Sequence, residues 1–469
     1  MKESNRLIKN TVIIAIGGIS TKILSFFLLP LYTGILSTEE YGTFDYIVSL
    51  TTFIAPVISV LISESMFRFL IDTDNDAGKR KEVISESVLI VIIGSGLWII
   101  CAGIFFTIFP KSYGFPLILY SLSMVFNWQI SAVLRGVGKV KDYTIYNLLT
   151  SATGLFLNVI TIALLGWGLV GLYFSNIVPS VVWGVVYFIR ERLWKYISFK
   201  SIRREGMSEL LHYSIPLVPN KLSWAIIDVS DRIIVTNTLG AAANGVYSIS
   251  YKFPNLINTF YSFFYTAWTE SSARVLTEGK EETNRFYNSV YHSLVRLLSG
   301  ITLILLACMP YIFRIMIKGE FVNAYNYVPY LMIGIFFSNI AGIYGGAFSA
   351  YKDTKTLSYS TIIAATVNFL INILLIKYIG LYAAAGSTLV ANIVSAGIRR
   401  VKVKKFISYV EEKRFLCLLL LATAACLYCY YSHNEIAYVL GIGVAMLFTI
   451  CTNTNNIKRI SNTLRRNKT

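Results

Sequence analysis

The sequence predicts an all-α polytopic membrane protein of about fourteen transmembrane helices. Three observations predict it. Of 469 residues, 55% are apolar and 14% charged, well below the charged share of an ordinary soluble domain. The apolar residues come in runs of about 20, the length that carries a helix across a bilayer. Lys and Arg are segregated, so that connections rich in them alternate with connections nearly free of them. The net charge of +17 would suggest nucleic acid in a soluble chain, but its distribution points to topology instead.

Taken in order, spans are expected to start near residues 9, 43, 85, 115, 143, 168, 209, 244, 286, 325, 357, 380, 414 and 436. The first follows MKESNRLIKN and looks like a signal peptide. It is too long for one, holds Lys22 and lacks a small-x-small cleavage site before Leu36, so it reads as a retained span. One side of the membrane receives Lys79–Lys81, Arg135/Lys139/Lys141 and Arg190 to Arg204. It also receives Arg274 to Arg285, Lys352/Lys355, the run Arg399 to Lys405 and the tail from Lys458. With both termini, this side holds roughly 32 of the 42 Lys and Arg and the other side about 4. Both termini are therefore expected in the cytoplasm, which an even number of spans allows. Outward connections run about 3 to 13 residues, and the longest inward one, around Arg190 to Ser208, is too short to fold alone.

An internal repeat divides the chain. Leu36-Ser37-Thr38-Glu39-Glu40-Tyr41-Gly42 joins spans one and two, and Leu239-Gly240-Ala241-Ala242-Ala243-Asn244-Gly245 joins spans seven and eight. Asn158 precedes Gly166 by eight residues, as Asn372 precedes Gly380. The offset predicts two six-helix halves in the same orientation, residues 1–205 and 206–405, with two further helices and a basic tail over 406–469. Parallel repeats of this kind are a transporter architecture with the site between the halves.

Charges inside spans mark the candidate site. Lys221, Asp228, Asp231 and Arg232 lie within one apolar segment, Leu210 to Leu239, and each is costly at bilayer depth unless it faces protein or water. At 100° per residue, Lys221, Asp228 and Arg232 fall within about 40° of one another. In the next span Ser248, Lys252, Asn255, Thr259, Ser262, Thr266 and Glu270 recur at steps of three and four as one polar stripe, either lining water or packing on another polar helix. Further intramembrane charges are Lys22, Glu64, Arg68 and Arg296. Glu64/Arg68 and Asp228/Arg232 have the acid-first i, i+4 order that favours local ion pairs. Arg68 and Arg296 are also placed where snorkelling to the interface is available. Six cations against four acids suit an anion-accepting cavity. Pro30, Pro56, Pro179, Pro216, Pro219 and Pro254 permit kinks where neighbours or lumen water satisfy the freed carbonyls.

Other chemistry is not indicated. The six cysteines lie in or at the ends of spans, and Cys426/Cys429 have no second pair or histidine beside them. The three histidines have no metal-ligand companions, and no cofactor motif, phosphate loop, Walker lysine or nucleophile elbow occurs.

Ser214-Ile215-Pro216-Leu217-Val218-Pro219, then Asp231-Arg232, Leu239-Gly240 and Asn244-Gly245-Val246-Tyr247, resemble the pattern of Wzx-type polysaccharide flippases of the multidrug/oligosaccharidyl-lipid/polysaccharide (MOP) exporter superfamily. Leu36-Ser37 to Tyr41-Gly42 and Gly380 with Ala383-Ala384-Ala385 resemble them too, so the likeness in layout spans essentially the whole chain. The resemblance implies two six-helix lobes in a V shape with two appended helices, working by alternating access in a bacterial inner membrane. The implied substrate is an undecaprenyl-diphosphate-linked oligosaccharide, an O-antigen or capsule repeat unit, moved to the outer leaflet. Lys22, Lys221, Arg232, Lys252 and Arg296 are the positions to hold its anionic head, and Asp228, Asp231 and Glu270 the candidates for coupling to H+ or Na+. Membrane lipids, a polysaccharide polymerase and chain-length proteins are the implied partners, with no nucleic acid and no enzymatic step.

Three rivals are weighed against it. A membrane enzyme of polysaccharide assembly needs a catalytic loop or an acid cluster outside the bilayer. A small-molecule or drug cation antiporter of the same superfamily would have twelve spans and an acid-rich lumen. A scaffold of a biosynthetic complex would leave the intramembrane charges unexplained.

Overall fold

The computed structural model describes residues 26–73, 76–410 and 412–466, without the side chains of 220, 223, 224, 226–228, 263, 266, 267, 270 and 455–466. The described residues are helices joined by short turns, with no strand among them. Eleven described helices are long and apolar enough to cross a membrane. Three further spans were expected. The first, carrying Lys22, lies outside the described residues. The other two are helices of spanning length, Leu217–Leu239 and Ala241–Arg274, that are not among the eleven, and they are the two that hold the candidate site residues.

Contacts group the chain into two compact units, Met1–Gly245 and Val246–Thr469. The first contains α1 (Leu29–Ile35), α2 (Thr38–Ser59), α3 (Ile62–Ile71), α4 (Ala77–Ile108), α5 (Gly114–Gly136), α6 (Val140–Asn158), α7 (Gly168–Arg190), α8 (Arg204–Ser214) and α9 (Leu217–Leu239). A closed capping box starts α2. Ser37 Oγ accepts from Glu40 N–H at 3.1 Å while Glu40 Oε2 accepts from Ser37 N–H at 2.9 Å, which satisfies two otherwise orphaned donors. The span expected as one helix from residue 43 breaks after Ser59, because Val60 and Leu61 both take left-handed backbone, φ 49° and 51°. Such conformations cost roughly 1–3 kcal/mol each in non-glycine residues. They are held by Ser59, whose hydroxyl donates to Ala55 O and accepts from Leu61 N–H, and by the buried Ile62. A π-helical turn, Val159–Leu164, ends α6 after Asn158.

The segment Leu210 to Leu239 is likewise two helices rather than one. Pro216 lacks an N–H, so α8 stops at Ser214 and α9 starts at Leu217. Leu210 is buried against Ile62 and Ile90, and α9 packs on α2. Contacts therefore group α8 and α9 with the N-terminal unit, whereas the repeat offset assigned them to residues 206–405.

The second unit contains α10 (Ala241–Arg274, whose first turn belongs to the first unit), α11 (Lys280–Met316), α12 (Val328–Ala350), α13 (Thr354–Ile379), α14 (Leu381–Val403), α15 (Lys413–Tyr431) and α16 (Glu435–Arg466). Helix α12 is its most buried element and packs on α14, which packs on α13; the appended helices α15 and α16 pack on α11. In lipid no hydrophobic force drives helices together, so close packing and interhelical hydrogen bonds do the work. Ser175 donates to Asn158 Oδ1 at 2.8 Å, Asn368 to Ser387 and Thr388 at 3.3 and 3.2 Å, and Trp268 Nε1 to Ile343 O at 3.0 Å. Large apolar side chains left exposed, such as Ile100 and Ile104 on α4 and Leu370 and Leu374 on α13, are those a bilayer would cover.

Candidate functional site

One group of candidate residues, in the first unit, sits where α2 meets α9. Arg232 Nε donates to Asp45 Oδ2 at 2.8 Å, and both side chains are 16% exposed. A hydrogen-bonded pair this sheltered exceeds a surface salt bridge, and removing either partner strands the other, at about 2–4 kcal/mol. The side chain expected to pair with Arg232, Asp228, is not described. Asp231, its neighbour on α9, is buried at 4% exposure, and Lys221 is exposed near the start of the same helix. Asp45 escaped sequence reasoning because it stands eight residues after the capping Ser37, where acids are ordinary, and 187 residues from Arg232.

The repeat supplies the close approach behind this pair. A Cβ on Gly42 would lie 1.8 Å from Ala241 O, and one on Gly245 would lie 2.1 Å from Thr38 O. The two equivalent glycines thus let the first turns of α2 and α10 touch backbone to backbone. Asn244, fully buried, clamps the crossing by donating to Gly42 O at 2.8 Å, with the same amide 3.5 Å from Asp45 Oδ2. The second repeat match also has a structural echo: Gly166 and Gly380 both adopt positive φ, 64° and 60°, after buried Asn158 and Asn372.

A second group of candidate residues lies on α10, in the second unit. One side of it, Phe253, Ile257, Tyr261 and Trp268, is buried, with Phe253 against Phe313 and Trp268 between Phe264 and Phe286. Of the predicted stripe, Asn255 and Ser262 are exposed, Lys252 and Thr259 are half-buried and Ser248 is buried. The side chains of Thr266 and Glu270 lie outside the described residues. Asn258 extends the exposed polar row and was not singled out from the sequence. Thr259 and Ser262 turn their hydroxyls onto the backbone of Asn255 and Thr259 at 2.8 and 2.7 Å, and among the described side chains the amides of Asn255 and Asn258 are exposed polar groups.

Two predicted charges lie elsewhere. Arg296, on α11, pairs with Glu412 at the start of α15 and stacks over Phe415. Arg68 pairs with Asp72, one turn onward at 2.6 Å, rather than with Glu64. Conversely Arg399, counted from sequence among loop cations, is buried within α14 at 9% exposure. Its Nε, Nη1 and Nη2 donate to Ser360 Oγ, Ala341 O and Thr361 Oγ1 at 2.9, 3.0 and 2.9 Å. Among the described residues no group of His, Cys, Asp and Glu is arranged to hold a metal.

Residues 7–269 match the family model for polysaccharide biosynthesis protein, a stretch that includes all of α9 and most of α10. The chain belongs to the polysaccharide biosynthesis protein family. Residues 216–374 also match the MatE model. No curated protein matches the sequence. Among solved structures, the lipid II flippase MurJ in an inward closed conformation superposes with a TM-score of 0.68 at 17% identity, over 96% of this chain and 99% of that one. An inward-facing multidrug resistance MATE family transporter superposes at 0.65 and 15% identity, over 84% of this chain and 98% of that one. A MOP superfamily transporter from Pyrococcus furiosus gives 0.51 at 17% identity, over 85% and 95%. This polysaccharide biosynthesis protein therefore has the MOP superfamily fold, and it is a multi-pass membrane protein.

Proposed function

We propose that the protein flips an undecaprenyl-diphosphate-linked oligosaccharide repeat unit from the cytoplasmic to the outer leaflet by alternating access, for surface polysaccharide assembly. The observation that carries this reading is the exposed polar row of α10, Asn255, Asn258 and Ser262, with Lys252 beside it, inside the family match. A helix that leaves amides uncovered at membrane depth requires water or a polar ligand there. Lys221, Arg232 and Lys252, with Lys22, would hold the diphosphate, because ammonium and guanidinium groups offset its loss of hydration. The sugar would follow through the wet interior while the polyprenyl tail stays in lipid. Asp231, buried on α9, is with Asp228 and Glu270 a candidate to carry H+ or Na+. On this reading the protein resides in the bacterial inner membrane with both termini cytoplasmic, beside a polymerase and chain-length proteins.

The test is complementation of a deletion strain with Lys221→Ala, Arg232→Ala and Lys252→Ala at matched expression. The proposal expects surface polysaccharide to fall about tenfold or more for each, the loss of one charge-assisted hydrogen bond or more. Full restoration by all three would sink it. A second reading, export of small cations, draws on the MatE match over residues 216–374. It predicts instead that the deletion sensitises cells to lipophilic cations and leaves surface polysaccharide intact.

A further inference from the structure

Where α11, α14 and α15 meet, a partly open recess of about 40 Å³ is lined by Tyr291, His292, Arg296, Arg400, Glu412 and Phe415. We propose that it binds the phosphate headgroup of an anionic phospholipid, a ligand separate from any substrate of α9 and α10.

Charge is the first argument. Among the described lining residues, two guanidinium groups face one carboxylate. Glu412 is itself occupied: Arg296 donates to its Oε2 and His292 Nδ1 lies 3.5 Å from its Oε1. Guanidinium forks match phosphate oxygens in geometry as well as sign.

Preorganisation is the second. The loop that carries Glu412 is tied to α11 by Asn284 and Asn288. Ser408 N–H donates to Asn284 Oδ1 at 3.0 Å, Val410 N–H to Asn288 Oδ1 at 2.8 Å, and Asn288 Nδ2 to Ser408 O at 2.9 Å. Tyr409 from the loop packs on Tyr291 and Tyr344, whose hydroxyls are bonded at 3.0 Å. A recess fixed before a ligand arrives loses little conformational freedom on binding.

Surroundings are the third. Arg400 belongs to the run Arg399–Lys405, and Lys413 and Arg414 open α15, so the recess lies in a belt of cations at the end of the spans. Basic pockets between helices at a membrane surface recruit anionic headgroups. Inorganic phosphate shares that chemistry. The apolar side favours lipid: Val295, Phe415 and Leu416 complete the lining, and Leu420, 72% exposed one turn beyond Leu416, continues an apolar path along α15 for an acyl chain.

The experiment uses the full chain in phosphatidylcholine nanodiscs, titrated with phosphatidylglycerol, with extra phosphatidylcholine, or with inorganic phosphate. Melting temperature and lipid retained in native mass spectra are the readouts. Phosphatidylglycerol should stabilise the wild type and stay bound, and neither other arm should. Arg400→Gln should weaken that binding at least about tenfold. Lys404→Gln, a charge loss on the adjacent turn outside the recess, should weaken it about fivefold or less. Should Arg400→Gln fail to fold, Glu412→Gln decides, because removing the competing carboxylate must tighten binding. Equal stabilisation by phosphatidylcholine, equal losses in Arg400→Gln and Lys404→Gln, or unchanged binding in Glu412→Gln overturns the proposal. Stabilisation by inorganic phosphate alone overturns its lipid part.

Discussion

Gly42→Ala should be among the most damaging single-methyl changes in this chain. The added carbon would sit 1.8 Å from Ala241 O and 2.6 Å from Gly245 N, both backbone atoms that cannot rotate away. Restoring an ordinary contact of about 3.2 Å requires the first turns of α2 and α10 to part by about 1.4 Å, which is overpacking at about 1–3 kcal/mol. The same movement stretches the 2.8 Å bond from Asn244 to Gly42 O, and the amide of Asn244 is fully buried, so its loss adds roughly 1–3 kcal/mol. The sum is about 2–6 kcal/mol. At roughly 2–4 °C per kcal/mol for a unit of this size, the apparent melting temperature should fall by about 4 °C or more. The assay is thermal unfolding of purified protein in one detergent, with Gly245→Ala as a matched case and Gly96→Ala as a control. Gly96, in α4, has nothing within 4 Å of the position its Cβ would take, so its substitution should be neutral or slightly stabilising. A Gly42→Ala protein that melts with the control would refute the backbone crossing.

Three further outcomes are expected. Arg232→Ala and Asp45→Ala should each destabilise by about 2–4 kcal/mol, whereas the double variant should cost less than their sum because no charge is left stranded; additive losses in a double-mutant cycle would deny the pair. Arg399→Lys should not rescue the defect of Arg399→Ala, since one ammonium cannot reach Ser360, Ala341 and Thr361 at once; equal melting temperatures for the lysine variant and wild type would contradict this. Asp353, the cap of α13, accepts from Thr356 Oγ1 and N–H at 2.8 and 3.2 Å, and these bonds hold its carboxyl below the usual range, the side-chain bond first. A depressed carboxyl stabilises above its unfolded pKa and loses that contribution as pH falls through the folded value. Asp353→Ala should therefore cost about 1 kcal/mol at neutral pH and almost nothing in strong acid, read as converging melting curves.

The spans were legible because twenty-residue apolar runs are a length signal, and length is local. So were the two unusual helices, since four charges in α9 and the polar period of α10 stand out against any lipid-facing pattern. What was not legible depended on partners distant in sequence. Asp45 becomes Arg232's partner only because Gly42 lets α2 approach the turn after α9. Arg399 and Arg400 are adjacent and equally basic, yet one is buried among neutral acceptors and the other lines an open recess. A run of cations at a helix end gives no sign of which one points inward. The breaks at Val60–Leu61 and Pro216 differ in the same way: proline announces its break, while left-handed Val60 and Leu61 are imposed by the packing around Ser59 and Ile62.

The repeat joins these observations. Gly42 and Gly245 occupy equivalent places in the two halves of the sequence, and the fold brings those places into contact. Each glycine is needed because the other's helix is there, so neither has a purely local explanation. The crossing fixes the start of α2, which carries Asp45, and the start of α10, whose later turns carry Lys252 and the exposed amides. Arg232 is then held by an acid on α2 while its own helix leads through Gly240 straight into the crossing. A movement that separated the two first turns would necessarily strain the Asn244 clamp, and with it the position of Asp45. On the proposed alternating-access function, the ion pair would therefore respond to the crossing. A disulfide between Thr38→Cys and Asn244→Cys tests that coupling. If it forms and arrests surface polysaccharide assembly until reduced, the crossing must open during the cycle; if assembly proceeds with the disulfide intact, the crossing is a fixed joint and the helices move about it.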